Sequence, residues 1–157
     1  MPVILARIDQ RLIHGIVVNQ WAAEVQAGRY MVIDNEVSQN EELKASMRLS
    51  KPAGTGMSII NTQKAITNFR NGNYDNQKVF VIVKEPKTLI ELLDGGVKIP
   101  KVTVGIIFDS NDRKNISKFV SVNEDEIQDF KEIEKRGIEC VIQYVPNDQE
   151  IDIKKYI

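Results

Sequence analysis

The chain has 157 residues, of which 42% are hydrophobic and 27% charged, and its formal net charge is −1. This length suits one compact domain spanning 1–157, with a core that needs no covalent staples. The near-neutral balance excludes a global field that would draw nucleic acid or an anionic membrane. A single cysteine, Cys140, excludes an internal disulfide and a multi-cysteine metal site, which points to a reducing compartment. The start, MPVILARIDQ, lacks the basic, long apolar and cleavable regions of a signal peptide. Apolar runs such as Val79–Val83 fall far short of the ~20 residues a spanning helix needs. The expectation is a cytoplasmic protein that other subunits must anchor if it works at a membrane.

Val3 to Ile8 reads as a first buried strand. Val17, Trp21 and Val25 then recur at helical spacing, with Gly28 as the stop. Tyr30 to Ile33 is a second strand. Ser38 and Glu41 have the spacing of a capping box, in which each side chain satisfies a free backbone N–H. The helix they open carries Leu43 and Met47 and ends before Pro52. Met57 to Ile60 is a weaker third strand, and Ala65, Ile66 and Phe69 mark a short helix beyond it. Val79 to Val83 is a β-branched fourth strand. Pro86 suits the first turn of the next helix and Gly95 its end. Val102 to Val104 is a fifth strand, and Phe119 to Val122 a short sixth. Asn123 caps a helix whose acidic first turn, Glu124 to Glu126, complements the helix dipole and which runs to Gly137. Ile138 to Val145 is the last strand. Alternation of this kind predicts an α/β fold, a mostly parallel central sheet of about six or seven strands with helices on both faces.

Open α/β sheets bind ligands at the carboxyl ends of their strands. After strand one the chain reads Arg7-Ile8-Asp9-Gln10-Arg11-Leu12-Ile13-His14-Gly15, which includes its only histidine, and a helix begins just after His14. Each part has a use in phosphoryl transfer. A neutral imidazole is a good nucleophile near pH 7 and can hold phosphorus covalently, splitting one transfer into two. Arg7 and Arg11 offer planar, permanently charged donors for phosphate oxygens. A helix start adds free N–H groups and partial positive charge. Gly15 lets the backbone approach closely. Asp9 either orients the imidazole or holds an arginine. Against this, a lone histidine is more often structural than catalytic, and an Arg-Asp-Arg cluster is usually a surface ion-pair network. Placement at the ligand-binding end of the sheet brings the two readings level.

The motif R-I-D-x-R-L-I-H-G, close to the N-terminus, resembles the active-site signature of the mannose/fructose/sorbose/N-acetylgalactosamine-type IIB components of bacterial sugar phosphotransferase systems. The similarity continues through Val32-Ile33-Asp34-Asn35-Glu36-Val37, Gly95-Gly96-Val97, Val120-Ser121-Val122 and Arg136-Gly137-Ile138-Glu139, so it covers essentially the whole chain in order. The resemblance implies that His14 accepts a phosphoryl group from a phosphorylated IIA protein. His14 then passes it to a hexose or amino sugar held by the membrane components IIC and IID. No metal, nucleotide or other cofactor is implied, because the phosphate arrives already activated on nitrogen. The stretch from Gly137 to Pro146 is most similar to the N-acetylgalactosamine or galactosamine branch. Two departures from the family pattern are Ile16, where glutamine is common, and the Gly105–Ser110 loop, which is elsewhere Gly-rich with a methionine.

Asp34 and Asn35 end strand two at the same end of the sheet and read either as support for the loop or phosphate, or as plain turn chemistry. Lys84, after strand four, reads as a phosphate or partner contact, or as a solvated helix-start lysine. The Asp109–Lys114 stretch is a polar loop suited to a docking rim. Trp21 is expected in the core rather than stacked on sugar, and Cys140 is expected to be inert. A relay between two proteins requires the Asp9–Gly15 loop at the surface, with Leu12 and Ile13 serving either as a docking patch or as core anchors. Two rival functions remain: a non-catalytic anion-binding or regulatory module, and a metal-free phosphatase releasing phosphate to water.

Overall fold

Central strands with apolar side chains on both faces are buried only between two layers of helix. The strand Val79–Val83, buried at all five positions, is the clearest case. The computed structural model describes residues 1–157. Its strands are β1 (Val3–Asp9), β2 (Arg29–Ile33), β3 (Gly56–Ile60), β4 (Val79–Val83), β5 (Val102–Ile106), β6 (Lys114–Ser117), β7 (Val120–Val122), β8 (Cys140–Ile142) and β9 (Ile151–Asp152). Its helices are α1 (Ala22–Val25), α2 (Glu41–Leu49), α3 (Thr62–Arg70), α4 (Pro86–Asp94) and α5 (Glu124–Lys135). A seven-stranded sheet has the order β3-β2-β4-β1-β5-β8-β9. Every pairing in it is parallel except β8 with β9. No helix is long and apolar enough to cross a membrane.

The alternation of each strand feeds two cores. On one face Ala6, Ile8, Val81 and Val104 pack against Ile66 of α3, Leu89 and Leu92 of α4, and Phe130 and Ile133 of α5. On the other face Leu5, Val32, Phe80 and Ile82 pack against Val17, Trp21 and Met47. The segment after β1 therefore goes to one face. The helices after the neighbouring β4 and β5 go to the opposite face. Connections that diverge in this way open a crevice at the carboxyl end of the central strands, and the His14 loop lies there.

Three expectations differ from the structure. The α2 cap is Asn40, whose Oδ1 accepts the Leu43 N–H at 3.1 Å, not Ser38. Asp34 accepts the Val37 N–H and winds Val37–Gln39 into a 3₁₀ turn, which takes Ser38 out of the capping position. The sixth strand is one arm of a separate antiparallel ribbon, β6 with β7. Its other arm, Lys-Asn-Ile-Ser, is too polar to announce itself as a strand. The last strand stops at Ile142 because the next two carbonyls turn to a buried side chain, and a two-residue antiparallel edge, β9, follows.

The Asn123 cap of α5 forms a complete capping box with Glu126. Asn123→Ala should cost about 1 kcal/mol, read as a lower urea midpoint with an unchanged denaturant slope.

Candidate active site

β1 carries the loop's key groups into the core before it ends. Alternation along the strand points Arg7 and Asp9 to the same face, and both side chains are fully buried. A buried carboxylate must be paired, and Asp9 has three donors. Its Oδ2 accepts from Arg7 Nε at 3.1 Å and lies 2.8 Å from His14 Nε2. Its Oδ1 accepts the Arg11 backbone N–H at 2.9 Å. The Leu12 N–H closes the turn on the Asp9 carbonyl, with Leu12 in the left-handed region at φ 58°. This conformation costs a non-glycine residue about 1–2 kcal/mol. Burial of the Leu12 side chain in the second core opposes that cost. Asp9 thus contacts both the imidazole and the Arg7 guanidinium, so the two alternatives meet on one carboxylate.

Because a carboxylate only accepts, the hydrogen of the neutral His14 ring sits on Nε2 and the lone pair on Nδ1. The His14 side chain is 15% exposed, so the ring reaches the surface. Its carbonyl accepts the Val18 N–H and starts the helical segment, leaving the first-turn N–H groups of residues 15–17 without intrahelical acceptors. The segment widens at once into a π turn, Val17–Trp21, a local form often found at functional sites.

Arg7 never reaches the surface. Its Nη atoms donate to the carbonyls of Gln143 and Tyr144 at 3.0 and 2.9 Å, and its guanidinium lies 4.9 Å from the centre of the Trp21 ring. Trp21 in turn donates to the same Tyr144 carbonyl at 2.9 Å. Burial pulls the Arg7 pKa below its ordinary value, opposed by the adjacent Asp9 carboxylate. Gly105 makes this packing possible: a Cβ there would sit 2.1 Å from an Arg7 Nη. Arg7 is therefore no phosphate ligand but the buried support of Asp9. Arg11 is the opposite case. Its backbone is pinned, while its side chain is exposed and lines a cleft of about 270 Å³ with Phe108, Lys118, Phe119 and Tyr144.

The remaining candidates separate from this cluster. Gly15 is exposed and uncrowded, since a Cβ would meet Asn19 at an ordinary 3.7 Å. No close approach within the chain requires a glycine there. Asp34 accepts the Val37 N–H and Asn35 accepts the Thr62 N–H, both at 2.9 Å, so both serve as backbone clamps at the ends of β2 and β3. With Lys84 they line a separate polar cleft beside Gln10. Leu12 and Ile13 are buried and are core anchors, not a docking patch.

Residues 3–157 match the model of a protein family described as the sorbose-subfamily IIB component of the phosphotransferase system (PTS). The chain belongs to that family. This IIB component is 32% identical over 158 residues to the N-acetylgalactosamine-specific phosphotransferase enzyme IIB component 2 of Escherichia coli K12, covering 100% of both chains. It is 32% identical over 157 residues to the mannose-specific EIIAB component of the same strain, covering 100% of this chain and 49% of that protein. The IIBSor domain of the sorbose permease from Klebsiella pneumoniae has a crystal structure that matches this fold with a TM-score of 0.94 at 28% identity, covering 99% of this chain and 95% of that one. The chain is thus a sugar-specific PTS component of the phosphotransferase class.

Sequence reasoning missed four parts of the IIB site: Gly105, Trp21 as a polar donor, and the carbonyls of Gln143 and Tyr144. Gly105 had a signal, since a glycine inside an apolar strand marks a close approach. A backbone carbonyl 137 residues away in sequence has none. Cys140 is buried, and desolvation pushes its thiol well above the ordinary range, as befits an inert core residue. Arg7→Met should cost about 3–5 kcal/mol, because it leaves Asp9 buried with one cation fewer. Gly105→Ala should cost about 1–3 kcal/mol by overpacking the guanidinium. Urea midpoints measure both, and ¹⁵N shifts of His14 in Gly105→Ala should show a loss of the Nε2–H tautomer.

Proposed function

We propose that this IIB component takes a phosphoryl group from a phosphorylated IIA protein onto Nδ1 of His14 and delivers it to a sugar held by the IIC and IID membrane components. The observation that carries this reading is the 2.8 Å contact between His14 Nε2 and the buried Asp9 carboxylate. It leaves Nδ1 with its lone pair as the nucleophile. In the first step that pair forms the new P–N bond, while the donor's P–N bond breaks and its electrons return to the donor imidazole. The Nε2 hydrogen stays between the ring and Asp9, which stabilises the positive charge that the phosphorylated ring acquires. In the second step a sugar hydroxyl oxygen attacks phosphorus and its proton passes to water, while the P–Nδ1 bond breaks and its electron pair returns to Nδ1.

Arg11 is the side chain available to meet the phosphoryl oxygens, and the free first-turn N–H groups add dipole to the same place. Asp34 and Asn35 support the loop only through the neighbouring backbone. The working location is cytoplasmic, at the inner face of the membrane transporter. For the sugar we favour N-acetylgalactosamine, supported by the Gly137–Pro146 stretch and by the full-length match to the relative named for it. The mannose relative that joins A and B components in its name supports a IIA partner.

Incubation with phosphorylated IIA separates this reading from its rivals. A stable adduct on His14 supports the relay, free phosphate identifies a phosphatase, and no label identifies a non-catalytic module. His14→Ala should keep its fold and take no phosphoryl mass; an adduct of wild-type yield on that variant would move the chemistry elsewhere. Arg11→Ala should slow single-turnover transfer by about 10²-fold while shifting stability by no more than ~0.5 kcal/mol, as expected for an exposed side chain. Transfer at the wild-type rate would remove Arg11 from the site.

A further inference from the structure

The cleft that Arg11 enters has an uncommon lining. Phe108 and Phe119 are 48% and 36% exposed. The Phe119 ring stacks on Tyr144, with centroids 4.0 Å apart and planes 21° from parallel, and Lys118 covers the Phe119 ring at 5.3 Å. Lys118 and the side chain of Arg11 enter none of the chain's ion pairs, and Asp109 is the single carboxylate lining the same cleft. Exposed aromatics beside unpaired cations mark a binding surface more than a folding requirement. The same stack is tied to the site below it, because the Tyr144 carbonyl accepts from both Arg7 and Trp21.

We propose that this face, formed by Phe108, Lys118, Phe119 and Tyr144 and continuous with Arg11, is where the phosphorylated IIA protein docks. The proposal rests on the reading of His14 as phosphoryl acceptor. Charge decides between the two partners the relay requires. A phosphohistidine donor arrives with a doubly negative group while His14 carries no phosphoryl group, so the two free cations attract it. Once the P–N bond has passed to His14, the phosphoryl group on this chain neutralises Arg11, the attraction falls, and the donor leaves. The sugar-bearing membrane components meet the loaded form, whose Arg11 is already satisfied. Across the loop, the cleft lined by Asp34, Glu36, Glu85 and Glu91, against one cation, Lys84, carries the opposite net charge and disfavours the same anion.

The test is single-turnover transfer from phosphorylated IIA across a range of its concentrations. Lys118→Glu, an exposed charge reversal that leaves the core untouched, should raise the half-saturating IIA concentration by about tenfold. That effect should shrink as salt rises through the range that screens exposed charges. Phe119→Ala should raise the same concentration with little salt dependence. Lys131→Glu, on the exposed side of α5, should match wild type. Wild-type concentration dependence in both Lys118→Glu and Phe119→Ala would overturn the docking face while leaving the relay intact. A wild-type chain that takes no phosphoryl group would instead overturn the relay. Variants that accept phosphate normally but no longer pass it to sugar in membrane vesicles would assign the face to the membrane partner and overturn its assignment to IIA.

Discussion

A carboxylate with no access to water holds this site together. Asp9 lies between a buried guanidinium and the imidazole, and an unpaired charge in that position would be costly by several kcal/mol. The cost ties together groups that would otherwise move independently. Arg7 cannot leave without stranding Asp9. Asp9 cannot rotate without releasing Arg7, His14 and the Arg11 backbone together. The ring's tautomer is thus set by the same interaction that seals the end of β1. A surface histidine with solvent on all sides would spread its hydrogen over both nitrogens, and its lone pair would face a partner only part of the time.

The two arginines of the motif show how burial divides identical side chains. Both are two residues from Asp9 and both bond to it, one through its side chain and one through its backbone. Arg7 lies on a strand and takes the face that alternation dictates, so it enters the core. Arg11 lies beyond the strand, on a turn that Asp9 itself braces, so its side chain stays in solvent. Gly105 on the neighbouring strand confirms that the division is built into the sheet, because only a residue without Cβ leaves room for the Arg7 guanidinium.

How much of this was legible in the sequence follows the same line between local and distant interactions. Hydrophobic periodicity and caps placed β4, α4 and the Asn123 cap correctly, since each depends on residues a few positions apart. The shift of the α2 cap from Ser38 to Asn40 came from Asp34, which competes for the same stretch of backbone with a turn of its own. The early end of β8 came from the demand of Arg7 for carbonyls, which a window on Ile138–Val145 does not contain. His14, Asp9 and Arg11 could be read as a cluster because one loop carries them. The burial of Arg7, Leu12 and Ile13 could not be, because it depends on Trp21, Phe80 and Tyr144 meeting them across the fold.

The carbonyls that hold Arg7 lie 136 and 137 residues further along the chain. On the ribosome His14 therefore emerges well before the carbonyls that support the buried side chains beneath it. A nascent chain that has not yet reached Gln143 exposes His14 on a loop whose Asp9 has no settled guanidinium. Its ring is then free to exchange tautomers, and the first core can already be consolidating, since domains form from the N-terminal side during synthesis. The settled geometry of this loop is consequently acquired only once residues 143 and 144 have emerged. Copies that stop short of residue 143, even if partly folded, would present the His14 loop without its buried support.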